Sequence, residues 1–155
     1  MGDTAVSDKN WRKTGNTLKV PNERYVFEDD TTETGYVMYY PLGRLHKNLY
    51  IVLQQDYNQN QYYVINPKSG TIYDMPGKPH QYGNYILVIE DEHTDSPVYI
   101  ELWEIKRKSI TKVKSRSLAE CGLFTIMRSY FKDKYSYIEH VGENGNEYFK
   151  LKLTD

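Results

Sequence analysis

Several features that mark other classes of protein are missing from this chain of 155 residues. It has one cysteine, Cys121, so no intramolecular disulfide can form. No apolar run approaches the roughly 20 residues that a membrane-spanning helix needs, so we expect no membrane span. Lys and Arg total 20 and Asp and Glu total 21, and this balance argues against a nucleic-acid-binding protein, which needs clustered positive charge.

Motifs of catalytic and metal sites are also missing. There is no Gly-rich phosphate loop, no Gly-x-Ser-x-Gly elbow and no paired-carboxylate motif. Cys121 could act as a nucleophile with a histidine, but no local motif supports this role, and a lone cysteine is more often a small buried apolar residue. None of the four histidines has the spacing of zinc ligands: His46, His80, His93 and His140. We therefore predict a protein that is not an enzyme and has no metal and no cofactor, although distant residues could still assemble a site.

Tyrosine is the residue type in marked excess, with 16 copies. It favours β-strands because its ring packs on a pleated surface while its hydroxyl can stay in water. The commoner interpretation is a sheet with a half-exposed face. A second interpretation is a binding face, because tyrosine supplies contact area at a low entropy cost.

Short β-type runs separated by turn residues predict an antiparallel sheet. The continuous apolar run Leu49 to Leu53 is typical of a strand buried on both faces. Asn66 to Gly70 predicts a hairpin turn, because proline presets a turn dihedral and glycine accepts the left-handed position. We expect Pro41 to Gly43 to end a strand, Pro76 to Pro79 to be a connection, and Asn144-Gly145 to form a closing hairpin turn.

These signals predict an all-β fold. We expect a flexible N-terminal segment over residues 1–22, which can dock through Trp11, and a single domain over residues 23–155. The domain would be an antiparallel meander of about nine or ten strands in open or partial propeller-like sheets, with a two-sheet β-sandwich as the alternative. Ser117 to Phe131 is compatible with helix or strand, and we favour a strand from Leu123 to about Tyr130. The expected core residues are Leu49, Ile51, Leu53, Val64, Ile86, Val88, Leu102 and Trp103.

The stretch Tyr62 to Ile105 carries a resemblance to a known group. Its consecutive parts are the turn Asn66 to Gly70, the connection Met75 to Pro79, the apolar strand Tyr85 to Ile89, the polar loop Glu90 to Pro97 and the strand Ile100-Glu101-Leu102-Trp103-Glu104-Ile105. This order resembles small exported Gram-negative bacterial proteins with propeller-like β blades. A departure is Pro79 to Asn84, which stands where such blades have a Ser-Pro-Asp-Gly turn.

The resembling group includes periplasmic immunity proteins of toxin–immunity pairs. The resemblance implies a non-enzymatic protein-binding module that neutralises a cognate secreted antibacterial toxin by occluding its active site. We accordingly expect a periplasmic or otherwise exported bacterial protein whose signal peptide has been removed from this chain, and a partner that is the toxin or another protein.

Two polar loops are the candidate partner-binding sites. An acidic loop on a rigid sheet suits insertion into a basic or polar cleft. The candidate residues are Glu90, Asp91, Glu92, His93 and Asp95 in the first loop and Asp56, Tyr57 and Asn58 in the second. The first loop could instead hold calcium, but it lacks the glycine and the regular ligand spacing of a dedicated calcium loop. Both loops could also simply connect strands.

A different class of function is an envelope glycan- or solute-binding protein. Aromatic faces stack on sugar rings, and the candidate tyrosines are Tyr39, Tyr62, Tyr73 and Tyr99.

Overall fold

The structure is a computed structural model that describes residues 11–21, 24–45, 49–90, 98–107, 109–119, 126–132, 135–142 and 145–152. The strands in these ranges are β1 (Thr17–Lys19), β2 (Val26–Glu28), β3 (Val37–Leu45), β4 (Leu49–Asp56), β5 (Asn60–Asn66), β6 (Thr71–Met75), β7 (Pro79–Tyr82), β8 (Tyr85–Ile89), β9 (Tyr99–Ile105), β10 (Ile110–Ser117), β11 (Ile126–Lys132), β12 (Tyr135–Gly142) and β13 (Gly145–Lys152). Every pair of neighbouring strands is antiparallel. The prediction of an all-β protein made of open antiparallel meander sheets is confirmed.

Within the described ranges, no helix has the length and apolar character needed to cross a membrane.

The chain divides into two compact units, Thr4–Gly77 and Lys78–Asp155. The sequence-based division into a flexible segment over 1–22 and one domain over 23–155 stays a prediction. Strand β1 lies before that boundary, and Trp11 is only 6% exposed, as expected for a segment that docks through this side chain.

The unit Thr4–Gly77 contains the β1-β2 ribbon and the four-stranded meander β3-β4-β5-β6. In β4 the four residues Leu49 to Val52 are all buried, as the apolar run predicted. Trp11 packs edge-on against Tyr50, with ring centroids 4.9 Å apart, and its Nε1 donates a hydrogen bond to the carbonyl of Lys19 at 2.7 Å. The core cluster on this side of the sheet contains Trp11, Leu18, Val20, Tyr50, Val52 and Ile65.

Strand β3 corrects one prediction, because it does not end at Pro41 but continues to Leu45. The ladder shifts by one residue between Pro41 and Gly43, which is a β-bulge, and Gly43 has a φ of 127°. β3 is the edge strand of its sheet, and edge positions and bulges are where a proline and a glycine are tolerated.

The hairpin turn predicted at Asn66 to Gly70 is confirmed. Asn66 Oδ1 accepts the backbone N–H of Lys68 at 3.1 Å and of Ser69 at 3.3 Å. Gly70 has a φ of 71°, and its N–H donates to the Asn66 carbonyl at 2.9 Å. The turn is also tied to the β1-β2 region, because the Tyr25 hydroxyl donates to the Gly70 carbonyl.

The unit Lys78–Asp155 contains the meander β7-β8-β9-β10 and the three-stranded meander β11-β12-β13. Strands β8 and β9 coincide with the predicted runs. Strand β7 was missed, because Pro79 to Asn84 was interpreted as a connection and turn. Proline is tolerated as the first residue of a strand at a sheet edge, which is the position of Pro79. Gly83, with a φ of 57°, lies in the two-residue turn into β8.

The C-terminal sheet contains a strand where we favoured one, over Leu123 to about Tyr130. β11 is a strand, but its described part begins at Ile126, and residues 121–125 lie outside the described ranges. The closing hairpin is present, since Gly142 pairs with Gly145, although Asn144 itself lies outside the described residues. The core cluster of this unit contains Leu87, Ile89, Val98, Ile100, Leu102, Leu118 and Ile138.

The predicted core is largely correct. Six of its residues are buried: Leu49, Ile51, Val64, Ile86, Val88 and Leu102. Leu53 and Trp103 are only half-buried. Trp103 is held at the surface because its Nε1 donates to Glu101 Oε2 at 3.0 Å and the ammonium of Lys112 lies 5.3 Å from its ring centroid.

Candidate protein-binding surface

The acidic loop Glu90 to Asp95 is described by the structure only at its first residue. The backbone N–H of Glu90 donates to the Tyr99 carbonyl at 2.9 Å, and the Glu90 carboxylate accepts the N–H of Tyr99 at 3.1 Å. Glu90 and Tyr99 therefore extend the pairing of β8 and β9 by one position towards the loop. The other four candidates of this loop lie outside the described residues: Asp91, Glu92, His93 and Asp95.

The second candidate loop forms the turn between β4 and β5. Asp56 Oδ1 accepts the backbone N–H groups of Asn58 and Gln59, both at 2.8 Å. These two hydrogen bonds, which stabilise the carboxylate, hold the pKa of Asp56 below its usual range. Asp56 therefore shapes the turn, whereas Tyr57 is 65% exposed and packs its ring against Tyr36 at 4.8 Å between centroids.

The four tyrosines considered for glycan stacking do not share one face. Tyr62 is buried, and Tyr39 packs against Phe27 with ring centroids 5.0 Å apart on the side of the Trp11 cluster. Tyr73 pairs across the sheet with buried Val64, and Tyr99 belongs to the other unit. Because Tyr39 and Tyr62 lie on opposite faces of the sheet β3-β4-β5-β6, the three tyrosines of this unit form no common stacking platform.

A different set of tyrosines is brought together on the sheet β11-β12-β13. In the ladder Tyr130 lies opposite Tyr137, and Tyr137 lies opposite Lys150 on the next strand. Directly opposite residues point to the same face, and side chains alternate between faces along a strand. One face of the sheet consequently carries Tyr130, Tyr135, Tyr137 and Tyr148, which we call the tyrosine face.

The rings of the tyrosine face hold one another in place. Tyr130 and Tyr137 are stacked, with centroids 4.9 Å apart and planes 7° from parallel. The ammonium of Lys150 lies 4.0 Å from the Tyr135 ring centroid and 5.6 Å from that of Tyr137. A cation over an aromatic face is attracted by the ring quadrupole, so these contacts fix both the rings and the lysine.

The edge of the tyrosine face is organised by Glu139. Its Oε1 accepts the Tyr148 hydroxyl at 3.2 Å and the Asn146 side-chain amide at 2.9 Å. Tyr148 is nevertheless 74% exposed, and Tyr130 is 57% exposed. The tyrosine face therefore presents large aromatic area to solvent in a prearranged geometry.

The opposite side of the same sheet explains why the tyrosines point outward. Ile138 and Ser136 alternate with Tyr135 and Tyr137 along β12 and are both buried. Ile138 belongs to the core cluster of this unit, and Phe149 of β13 packs against that cluster. The sheet is thus anchored by its inner face, which makes the tyrosine face a supported surface rather than a loop.

No three His, Cys, Asp or Glu side chains in the described ranges are grouped so that they could hold a metal ion. Cys121, His46 and His93 lie outside those ranges. The Cys–His hypothesis and the calcium alternative for the acidic loop both stay untested predictions.

Comparison of the chain with models of protein families, with curated proteins and with solved structures found no match.

Sequence reasoning missed the tyrosine face although part of its signal was visible. Tyr148, Lys150 and Lys152 alternate with Phe149 and Leu151, which predicts one polar and one apolar face for the last strand. A strand from Leu123 to about Tyr130 was favoured, but its partner strand and register were not predicted, so the pairing of Tyr130 with Tyr137 could not be derived. The register between strands decides which tyrosines are neighbours.

Proposed function

We propose that this chain is a non-enzymatic protein-binding module and that the tyrosine face is its principal contact surface. The observation that carries the proposal is the stacked, half-exposed group Tyr130, Tyr137 and Lys150 on an anchored sheet. Tyrosine is enriched among residues that dominate binding energy at protein interfaces. Rings that are already held in place lose little further rotamer entropy when a partner covers them.

The charge on the tyrosine face indicates what the partner surface would offer. Lys150 pairs across the strands with Tyr137, and Lys132 and Lys152 flank Tyr135 in the ladder. A partner with acidic residues around an apolar patch would complement this arrangement, and such complementarity mainly raises the association rate. This surface is opposite in sign to the acidic loop Glu90 to Asp95.

In its concrete form, the proposal is an immunity protein of the periplasm or another exported compartment. It would bind a cognate secreted antibacterial toxin and cover the active site of that toxin. The support is the open sheet that carries the tyrosine face and is anchored by its inner face, together with the sequence resemblance over Tyr62 to Ile105. The acidic loop stays a second candidate contact, because it begins at the Glu90–Tyr99 pair in the same unit as the tyrosine face.

The test is quantitative affinity capture from cells that naturally produce the chain. The variant Tyr130→Ser with Tyr148→Ser removes two exposed rings, whereas Tyr82→Ser removes an exposed ring elsewhere in the same unit as a control. We expect the partner to be lost from the double variant, since hot-spot residues contribute about 2 kcal/mol or more each, and kept by the control. Equal capture by the double variant would show that the tyrosine face is not the interface.

A separate measurement tests the immunity assignment itself. The captured partner should be a secreted or envelope hydrolase, and co-production of this chain should protect cells from it. Recovery of only non-hydrolytic partners, or no protection, would leave a binding module that is not an immunity protein. Neighbouring genes give a rapid check, because a toxin gene favours immunity and a polysaccharide-utilisation cluster favours the glycan-binding alternative.

A further inference from the structure

A groove in the unit Lys78–Asp155 lies where β8, β9 and β10 approach β13. Its volume is about 310 Å³, which is within the range of small-molecule clefts. Four aliphatic side chains form its floor: Leu87, Ile100, Leu102 and Leu151. Four basic residues complete its lining: Lys114, Arg116, Lys150 and Lys152. We call this feature the basic groove.

A β-bulge in β10 aims two of these cations at the groove. Lys112 lies opposite Trp103, whereas Lys114 lies opposite Leu102, so the register shifts between them. Without the shift, Lys112 and Lys114 would point to the same face of the sheet. With it, Lys112 pairs with Glu101 on one face, while Lys114 and Arg116 point to the face of Leu102 and Ile100. Bulges of this kind re-aim side chains next to functional sites.

The charges of the basic groove are all of one sign among its described lining residues. None of the salt bridges between described residues involves Lys114, Arg116 or Lys150. Like charges placed around one groove repel each other, and an anion on the rim relieves that repulsion. The aliphatic stems of the lysines add further apolar surface to the leucine and isoleucine floor.

We propose that the basic groove binds a small amphipathic anion, namely an unbranched apolar chain that ends in a carboxylate or a phosphate. The apolar chain would lie on Leu102, Ile100 and Leu151, and the anionic end would accept hydrogen bonds from Lys114 and Arg116. The arginine guanidinium suits this task because it can donate two parallel hydrogen bonds to either kind of head group. This ligand class differs from the protein partner at the tyrosine face, and Lys150 belongs to both surfaces.

Titration calorimetry with five probes tests the proposal on the whole protein. The probes are decanoate, octanoate, decyl phosphate, decyltrimethylammonium and inorganic phosphate, each kept below the concentration at which it aggregates. We expect decanoate and decyl phosphate to bind. Decyltrimethylammonium and inorganic phosphate should bind at least about tenfold more weakly. Octanoate should bind more weakly than decanoate by about threefold to fourfold for each missing methylene that the groove buries. Raising the ionic strength should weaken the binding of decanoate and decyl phosphate.

A matched pair of variants locates the site. Lys114→Gln with Arg116→Gln should lower decanoate affinity at least about tenfold. Lys106→Gln with Arg107→Gln removes the same two charges from exposed residues just before β10 and should leave the affinity unchanged. All four side chains are exposed, so the variants should fold. Amide NMR signals of Ile100, Leu102 and Arg116 should shift on titration.

Three results would overturn the proposal. Equal binding of decanoate and decyltrimethylammonium would show an apolar groove without anion recognition. Equal losses in the two double variants would show a general effect of net charge. Failure of both decanoate and decyl phosphate to bind would show that the basic groove does not take an amphipathic anion.

Discussion

Replacement of Trp103 tests how the sheet β7-β8-β9-β10 is stabilised on the face opposite its core cluster. Trp103, Glu101 and Lys112 form one connected group there. The Trp103 Nε1 donates to Glu101 Oε2 at 3.0 Å, and the Lys112 ammonium lies 2.7 Å from Glu101 Oε1 and 5.3 Å from the Trp103 ring centroid. Glu101 is only 8% exposed, so its carboxylate depends on these two partners for the hydrogen bonds that water would otherwise give.

The expected loss for Trp103→Ala combines three contributions. Replacing a fully buried tryptophan with alanine lowers the free energy of unfolding by about 3–5 kcal/mol. Because Trp103 is only half-buried, the loss of its packing contributes about 2 kcal/mol. The hydrogen bond to a carboxylate contributes about 1.5 kcal/mol. The cation–π contact adds about 0.5 kcal/mol. Trp103→Ala should therefore destabilise the protein by about 4 kcal/mol, and Trp103→Phe, which keeps an aromatic ring, by about 2 kcal/mol.

A double-mutant cycle isolates the hydrogen bond. Trp103→Phe, Glu101→Ala and the double variant are unfolded in urea and followed by circular dichroism. We expect a coupling free energy of about 1 kcal/mol. Each single variant already loses the hydrogen bond between Trp103 and Glu101, so the double variant loses it only once. A loss below about 1 kcal/mol for Trp103→Ala, or a coupling near zero, would refute this account of Trp103.

Three further predictions use other parts of the chain. Ser136 has a buried hydroxyl without a hydrogen-bond partner among the described residues, so Ser136→Ala should stabilise the protein by about 1 kcal/mol in urea unfolding; a loss of that size would show that the hydroxyl is bonded. The lowered pKa of Asp56 means that its carboxylate stabilises the folded state above the unfolded pKa of about 3.9 and that this stabilisation is lost as pH falls through the lower folded pKa. The stability difference between the wild type and Asp56→Asn should therefore be constant from about pH 5 to pH 7 and shrink towards about pH 3; a difference independent of pH would contradict the turn assignment. Gly70→Ala should cost about 1–2 kcal/mol because φ is 71°, and unchanged stability would contradict the left-handed turn.

The local chemistry of the sequence predicts most of the strands. Leu49 to Val52 is buried as its continuous apolar run predicts, and Asn66 to Gly70 forms its turn through bonds made within the turn itself. Strand β7 and the continuation of β3 past Pro41 could not be predicted in this way. In both cases a proline is tolerated because the strand lies at a sheet edge. Whether a strand lies at an edge depends on how the strands pair, which the local sequence does not give.

The candidate surfaces depend still more on pairing between strands. Tyr130 and Tyr137 are neighbours because the register of β11 and β12 makes them so, and Lys114 points to the basic groove because a bulge follows Lys112. Neither register nor bulge can be derived from residues that are adjacent in sequence. The excess of tyrosine indicated that a binding face was one interpretation, but it did not indicate which tyrosines form it.

Footprinting of tyrosine side chains in the presence and absence of the captured partner tests the central claim most directly. Hydroxyl radicals modify exposed rings, and Tyr130, Tyr148, Tyr57 and Tyr82 are all exposed in the free chain. We predict that the partner protects Tyr130 and Tyr148 and leaves Tyr57 and Tyr82 as reactive as before. Protection of Tyr57 with unchanged reactivity of Tyr130 and Tyr148 would contradict the account and would assign the interface to the turn at Asp56 to Asn58.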